Sequence, residues 1–329
     1  MQALPIRGSV ADAHGPSLHL ADVRGGFVMK WQIRCARNTL VAALPFQQRL
    51  RVLKRRLSGR AHHIHEQSVY SGGFDQITLL QEAGLDLRGR IVLELGTGWN
   101  PVIPLMLRLA GAERIILTDV HALLDRETVQ AAVDFLLTRK TDLASRLGQT
   151  ETEIDQALTL PKGALLDEVL KMLGLDYRVP FDIATTDVQV DAIYSHTVLE
   201  HIPPPVLETI LRHSHDLLNP GGLICHGIDH SDHREHQDPG ISRVDFLRYS
   251  NIIWRLLCLN PQDYTNRLRH SDYMTMIQRA GFESVIERPF VNPGALTRLP
   301  DIPLAPQFRG YDEDDLATTC SHIVARGAA

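Results

Sequence analysis

The stretch "IVLELGTGWNPVIP", residues 91–104, decides the fold. Its first five residues form a largely apolar run of strand length, and Gly96 and Gly98 follow at once. Glycine permits a tight turn and a close approach of ligand to backbone, which a side chain would block. Pro101 and Pro104 lack an amide hydrogen and therefore fit near the first turn of a helix. The pattern predicts a strand, a ligand-binding loop and a helix.

Short apolar runs alternate with helical patterns over the middle of the chain, which is typical of a parallel sheet with crossover helices. The predicted strands lie near residues 91–95, 114–119, 176–181, 191–196 and 222–228. The helix after the fourth strand should begin at prolines 203–205 and end at "NPGG". We therefore predict a doubly wound α/β fold, in which ligands bind at the carboxyl ends of the strands.

Residues 121–176 are longer than one crossover requires, and their pattern predicts two or three helices inserted over the sheet. Further on, "SDYMTMIQRAGF" predicts a helix capped by Ser271 and ended by Gly281. Strand-like "ESVIERPF" and "TTCSHIVAR" follow. The predicted organisation is an irregular N-terminus with a basic helical arm over residues 1–60, and one domain over residues 61–329.

Composition favours a cytoplasmic protein with a substantial core. The chain has 329 residues, of which 44% are hydrophobic. It contains no run of roughly 18 apolar residues, as a membrane-spanning helix needs, and its first residues lack the apolar core of a secretion signal. The four cysteines form no CxxC pair, so neither a disulfide framework nor a thiolate zinc site is predicted.

Positive charge is concentrated near the N-terminus. Residues 24–60 carry ten Lys or Arg and no Asp or Glu, whereas the remaining chain has 24 basic and 39 acidic residues. A basic amphipathic helix over residues 30–60 could contact an anionic membrane surface, or it could dock on the acidic body of its own domain. A nucleic-acid partner is not favoured, because the acidic body offers no extended basic groove.

The glycine loop alone leaves the ligand open. A dinucleotide-binding dehydrogenase would have GxGxxG, but Pro101 stands where the third glycine belongs. Asp119, at the end of the second strand, does not discriminate, because a carboxylate there would accept hydrogen bonds from the ribose of either kind of cofactor.

An ordered set of motifs separates these readings. The segments "ELGTG", "TD", "DAIYSHTVLEHIP", "LNPGGL" and "AGF", spread over residues 90–290, resemble the class I S-adenosylmethionine-dependent methyltransferases. "LELGTGW", "SHTVLEHI", "IDHSDH" and "NRLR" further resemble a bacterial subgroup associated with polysaccharide or glycan biosynthesis. The resemblance implies a Rossmann-like, mostly parallel seven-stranded sheet and S-adenosylmethionine as cofactor, and makes residues 61–329 a methyltransferase domain.

The resemblance also implies roles for matching residues. The glycine loop would hold the methionine end of the cofactor, Asp119 the ribose hydroxyls, and Asp182, or else Asp187, the adenine amine. Asn100 departs from the common third glycine, so the loop could differ locally in shape. The implied cofactor site comprises Glu94, Gly96, Thr97, Gly98, Asp119, Asp182 and Ser195.

The stretch "CHGIDHSDHREH", residues 225–236, should leave the carboxyl end of the fifth strand beside the transferred methyl group. Histidine can accept the proton of a hydroxyl near neutral pH, and a neighbouring carboxylate can fix its tautomer. We predict His226 or His233 as the base, paired with Asp229 or Asp232. A divalent metal held by these groups is not favoured, and a polar loop without acid–base work is the other alternative.

Two further groups are predicted to bind the acceptor. Glu200 and His201 in "VLEHIPP" follow the fourth strand, and Arg267 and Arg269 in "NRLR" have forked donors that suit a carboxylate or phosphate. The expected activity is methylation of a hydroxyl on a glycan or another small molecule. The alternatives are an NAD-dependent oxidoreductase and a catalytically silent scaffold that docks through the basic arm.

Overall fold

A single seven-stranded sheet forms the centre of the molecule. The computed structural model describes Trp31, Ile64 and residues 66–235, 238, 240–260 and 264–327. The strands are β1 (Ile91–Leu95), β2 (Arg114–Thr118), β3 (Leu175–Arg178), β4 (Val190–His196), β5 (Leu218–Asp229), β6 (Phe282–Val291) and β7 (Thr318–Gly327). Their spatial order is β3-β2-β1-β4-β5-β7-β6. Among the strands of these described residues, only β7 pairs antiparallel, with both β5 and β6. The predicted mostly parallel, seven-stranded α/β fold is confirmed.

Helices cover both faces of the sheet. They are α1 (Glu66–Glu82), α2 (Val102–Leu109), α3 (Arg126–Leu137), α4 (Lys140–Leu147), α5 (Glu151–Leu158), α6 (Leu166–Met172), α7 (Pro204–Leu217), α8 (Asn251–Leu257), α9 (His270–Arg279), α10 (Pro293–Arg298) and α11 (Glu313–Ala317). The apolar sides of α1 to α6 share one core on one face, and those of α7 and α9 share a second core on the other. A third cluster joins α8, α10 and α11 beyond β5.

The inserted segment contains four helices, α3 to α6, rather than two or three. Asp125 and Thr150 each begin a helix through a reciprocal capping box. Gly148 ends α4 in a left-handed conformation, with φ of +67°. These polar and glycine signals divide a continuous apolar pattern into shorter helices.

The helix predicted with Ser271 as its N-cap residue begins two residues earlier. α9 starts at His270 and Arg269 is its N-cap residue, so the prediction that Ser271 caps it was wrong. The Ser271 hydroxyl instead donates a hydrogen bond to Asp315 in α11. The Ser271 hydroxyl, which the local sequence predicts as a helix cap, therefore bonds to a carboxylate from a distant segment instead.

The topology creates one crevice. From β1 the chain turns outward to β2 and β3, and it then returns to place β4 on the opposite side of β1. Such a switch point opens a crevice at the carboxyl ends of the two central strands, where helices cannot close over both sides. The segments after β1, β2, β4 and β5 meet at this edge.

The predicted basic arm lies outside the described residues, apart from Trp31. Trp31 is buried, its ring centroid lies 6.2 Å from that of Tyr249, and the guanidinium of Arg234 stands 4.4 Å above it. The N-terminal part of the chain therefore contacts the methyltransferase-like fold at Trp31. In the described part of the chain, every helix is too short or too polar to cross a membrane.

Candidate active site

The loop after β1 has the conformation that its glycines predict. Gly96 and Gly98 have φ of +76° and +67°, in the left-handed region that favours glycine. The amides of Gly96 and Thr97 both donate to the carbonyl of Thr118, at 2.9 and 3.0 Å. A Cβ atom on Gly96 would come within 2.8 Å of the Val198 side chain. The loop is thus tied to the end of β2 and packed against the segment after β4.

Asp119 joins this loop directly. Its Oδ2 accepts a hydrogen bond from the amide of Gly98 at 2.9 Å, and its Oδ1 accepts one from the amide of His121 at 3.0 Å. Each carboxylate oxygen can accept more than one hydrogen bond. The side chain is half-buried, so acceptor positions beside the glycine loop remain available for a ligand hydroxyl.

Glu94 is buried in β1 beneath the loop. The Tyr194 hydroxyl donates to Glu94 Oε1 at 2.7 Å. Burial raises the pKa of Glu94 to about 7, against the lowering effect of the Tyr194 hydrogen bond. Thr97 is also buried in the loop. Asn100 contributes locally, because its Oδ1 accepts a 3.4 Å hydrogen bond from the amide of Val102 at the start of α2.

Of two further residues predicted to bind the cofactor, Asp182 lies at the rim of the crevice and Ser195 lies in the protein interior. Asp182 is exposed after β3, and its Oδ1 accepts from the amide of Ala184 at 3.0 Å. Ser195 is fully buried in β4 and its hydroxyl lies 2.8 Å from His226 Nδ1. The Ser195 hydroxyl is therefore engaged inside the protein rather than in the crevice.

The prediction that His226 emerges beside the methyl group does not match the structure. β5 continues to Asp229, so His226 lies inside the strand and is fully buried. Burial lowers the pKa of His226 to about 4, so its imidazole is neutral at physiological pH. Asp232 is corrected as well. Its buried carboxylate forms an ion pair with Arg234, which occupies both of its oxygens.

Four other predicted residues come together, and we call them the acceptor cluster: Glu200, His201, Asp229 and His233. The Val198 that contacts Gly96 leads directly into the turn Leu199–His201. His233 Nε2 lies 3.3 Å from Asp229 Oδ2, and the rings of His201 and His233 are 5.1 Å apart. The crevice therefore has the acceptor cluster on the side away from Asp119.

Burial differs across the acceptor cluster. Glu200 is 3% exposed whereas His201 is exposed, so the cluster extends from the interior to solvent. His201 Nδ1 lies 2.9 Å from the carbonyl oxygen of Tyr264. One potential ligand atom from each of Glu200, His201 and His233 lies within 4.8 Å of the others. At this spacing the three side chains are candidate ligands of one metal ion.

The charges of the acceptor cluster influence one another. Burial and the nearby charge of Asp229 raise the pKa of Glu200 to about 8. Burial alone would raise the pKa of Asp229, but hydrogen bonds from His233 and Ser231 and the charge of His233 hold it below its usual range. Burial alone would lower the pKa of His233, but Asp229 and Glu200 raise it above the ordinary value.

The guanidinium groups of Arg267 and Arg269 are buried and donate to groups inside the domain. Arg267 donates to the carbonyls of Phe246 and Tyr249 and to the Asn251 amide oxygen. Arg269 is fully buried and donates to the carbonyls of His230 and Thr318. Both guanidinium groups hold loops of the domain together, so neither residue is part of the proposed acceptor site.

A second group of side chains at the same sheet edge was not predicted. A Cβ atom on Gly72 of α1 would meet the His196 imidazole at 2.6 Å, and His322 Nε2 lies 3.9 Å from Asp75 Oδ2. His196 was visible as the last residue of β4. Its proximity to α1 depends on a contact between distant segments, for which the sequence carries no local signal.

The chain is similar in sequence to a known methyltransferase over part of its length. No family model matches the chain. The ubiquinone biosynthesis O-methyltransferase of Ruegeria pomeroyi is 30% identical over 125 residues, which are 37% of this chain and 46% of that protein. The chain thus matches less than half the length of this curated relative.

Solved structures with a similar fold include two methyltransferases. The S-adenosylmethionine-dependent methyltransferase of Mesorhizobium loti has 14% identity and a TM-score of 0.40, with 75% of this chain and 95% of that chain covered. The magnesium protoporphyrin IX methyltransferase of Synechocystis PCC 6803, with bound SAH, has 13% identity and a TM-score of 0.42, with 80% and 83% covered.

Proposed function

We propose that this chain is an S-adenosylmethionine-dependent methyltransferase that methylates a hydroxyl group of a glycan or another small molecule. The observation that carries the proposal is the junction of Asp119 with the glycine loop at the switch point of the sheet. The carboxylate there suits two ribose hydroxyls, and the loop lets a ligand approach the backbone. The motif order and the similarity to an O-methyltransferase support the same class.

The cofactor would lie across the carboxyl ends of β1 and β2. Its ribose would contact Asp119, and its methionine part would lie along Gly96, Thr97 and Gly98 above Glu94. The adenine would extend toward the exposed rim after β3, where Asp182 stands. The bound cofactor supplies the methyl group, carried on a sulfonium.

The acceptor would bind at the acceptor cluster. Methyl transfer is an in-line displacement, so the main task of the protein is to align an acceptor oxygen with the methyl carbon, which can contribute several kcal/mol. The position of the cluster is suitable because Val198 contacts the glycine loop and leads directly into Glu200. Exposed His201 leaves a route for the acceptor from solvent.

A hydroxyl acceptor must also lose its proton. In the metal-free protein we assign the proton acceptor to His233, whose ring Asp229 orients from 3.3 Å. His226 is unsuitable as the proton acceptor. Its imidazole is neutral, as a base must be, but the side chain is fully buried and an acceptor cannot reach it. The oxygen then bonds to the methyl carbon, and the electron pair of the broken carbon–sulfur bond stays on sulfur.

Calorimetric titration of the purified protein with S-adenosylmethionine, S-adenosylhomocysteine and NADH tests the class. We expect the two adenosyl ligands to bind and NADH to give no heat above dilution. Binding of NADH alone would establish the oxidoreductase alternative, and binding of none would favour the silent scaffold. With binding shown, transfer of a labelled methyl group to hydroxylated glycans and small aromatic alcohols tests the acceptor class, and labelling of amines alone would contradict it.

We also propose that the basic arm brings the protein to an anionic membrane surface. The support is the charge of residues 24–60, together with the position of Trp31 near α8 through Tyr249 and Trp254. α8 and the residues after it expose large apolar side chains, namely Ile252, Ile253, Leu256 and Leu259. Basic residues and exposed apolar side chains together favour peripheral binding to an anionic membrane.

Vesicle flotation tests the membrane proposal. Each basic residue near an anionic surface contributes about 1 kcal/mol, so changing five of them to Gln should weaken binding by at least on the order of 100-fold. Suitable positions are Arg49, Arg51, Lys54, Arg55 and Arg56. Lys162→Gln with Lys171→Gln in the insertion is the control. Equal binding to neutral and phosphatidylserine vesicles, or no effect of the five changes, would refute the proposal.

A further inference from the structure

Glu200 is an unusual carboxylate for its surroundings. It is 3% exposed, and among the described residues neither of its carboxylate oxygens has a hydrogen-bond partner. Removing a carboxylate from water is costly unless it is paired or coordinates a metal. A buried carboxyl group with no such partner is either protonated or bound to a cation, and a cation would stabilise its charged form.

Two imidazoles complete a donor set around this carboxylate. One potential ligand atom from each of Glu200, His201 and His233 lies within 4.8 Å of the others. Tetrahedral ligands about 2.0–2.2 Å from a metal stand roughly 3.5 Å apart, so the residues would have to close by roughly 1 Å. His201 and His233 come from different segments, but the 3₁₀ turn after β4 and the loop after β5 bring them together.

Both histidines also have the outer contacts that metal ligands use. A histidine bound to a metal through one nitrogen commonly donates its other N–H to a carbonyl or carboxylate, which fixes the orientation of the ring. His201 Nδ1 lies 2.9 Å from the Tyr264 carbonyl, and the Asp229 carboxylate lies 3.3 Å from His233 Nε2. These contacts are independent of the burial of Glu200.

We propose that Glu200, His201 and His233 bind a divalent transition-metal cation, and that the acceptor hydroxyl coordinates this cation. Two imidazoles and one carboxylate suit Zn²⁺, Mn²⁺ or Fe²⁺ better than Mg²⁺, which prefers oxygen ligands. Three protein ligands leave coordination positions open for an acceptor. The acceptor part of the inference rests on the proposed function, whereas the cation site itself does not.

The cation would change how the hydroxyl becomes reactive. A coordinated hydroxyl has a lowered pKa, so it can release its proton to solvent near neutral pH. His233 is then a ligand oriented by Asp229 rather than the proton acceptor. The resulting alkoxide or phenolate oxygen bonds to the methyl carbon, and the carbon–sulfur bond breaks with its electron pair on sulfur.

The test is cation binding to the full chain after treatment with a chelator. Wild-type protein is titrated with Zn²⁺ and Mn²⁺ in the calorimeter, with Mg²⁺ for comparison, and thermal unfolding is recorded with each ion. We expect one tight equivalent of a transition metal and a rise in Tm of roughly 3–6 °C at saturating ion. Mg²⁺ should bind at least tenfold more weakly.

Two variants locate the site. Glu200→Gln places a neutral amide of the same size at the buried position and should therefore keep the metal-free Tm, but it should weaken Zn²⁺ binding at least tenfold and abolish the rise in Tm. His201→Gln, at the exposed end of the acceptor cluster, should also weaken Zn²⁺ binding at least tenfold and abolish the rise in Tm. Glu208→Gln and His213→Gln on α7 are matched controls at exposed or half-buried positions, and each should bind the ion as wild type does.

S-adenosylhomocysteine titrations on the same samples separate the two proposals. Wild-type protein that binds S-adenosylhomocysteine but no transition metal would overturn the cation site alone. Unchanged Zn²⁺ affinity in folded Glu200→Gln would also overturn it. Metal binding that Glu200→Gln abolishes, in protein that does not bind S-adenosylhomocysteine, would support the cation site and refute the methyltransferase function.

Discussion

Asp119→Ala is expected to weaken binding of S-adenosylhomocysteine by roughly 10- to 100-fold. A hydrogen bond to a charged group contributes about 1.5–3 kcal/mol, and about 1.4 kcal/mol corresponds to a tenfold change in affinity. The variant would lose the contacts to the ribose and also the 2.9 Å bond from the Gly98 amide, which ties the loop to the end of β2. Cofactor affinity should therefore fall through both direct contact and loop order.

Calorimetry on folded protein measures this effect. Asp167→Ala is a matched control, because Asp167 is an exposed aspartate in α6, away from the crevice. Asp119→Asn should be intermediate, since an amide oxygen can still accept but carries no charge. An Asp119→Ala protein with wild-type affinity would rule out the ribose assignment.

His233→Ala is expected to lower kcat by roughly 10²- to 10⁴-fold, the usual contribution of a positioned proton-transfer group. Affinity for S-adenosylhomocysteine should change less than about twofold, because no predicted cofactor contact involves this residue. The loss is expected whether His233 accepts the proton or binds a cation. Asp229→Asn should give a smaller loss, since the ring remains but is no longer held by a charge.

His226→Ala supplies the contrast. It removes a fully buried ring from β5 and leaves the Ser195 hydroxyl without its 2.8 Å partner. The expected result is a lower Tm, since a cavity and an unsatisfied hydroxyl are both destabilising. Single-turnover rates with saturating cofactor distinguish the two histidines. A wild-type rate in folded His233→Ala would contradict the role assigned to the acceptor cluster.

Local sequence was sufficient to predict most of the sheet. Strands such as Ile91–Leu95 and Arg114–Thr118 are short apolar runs that end at strong turn signals, and their periodicity does not depend on distant residues. The boundaries that failed depended on partners elsewhere. Ser271 resembles a cap in its own segment, but Asp315 takes its hydroxyl.

The candidate site follows the same division. The glycine loop and Asp119 were predictable, because motif and strand order place them at one edge of a parallel sheet. The interior positions of Arg267 and Arg269 were not, because the carbonyls they bind come from other loops. Asp232 was assigned to catalysis because nothing in "IDHSDHREH" shows that Arg234, two residues later, folds back onto it.

The place of β7 has a consequence for how the chain folds. β7 is the last strand in sequence, yet it lies between β5 and β6 and pairs with both. Until residues 318–327 have been synthesised, β5 has an open edge and β6 has no partner in the sheet. Open edges invite pairing with other chains, so incomplete chains should be aggregation-prone. The whole sheet can therefore close only after residues 318–327 have left the ribosome, long after the glycine loop has been made.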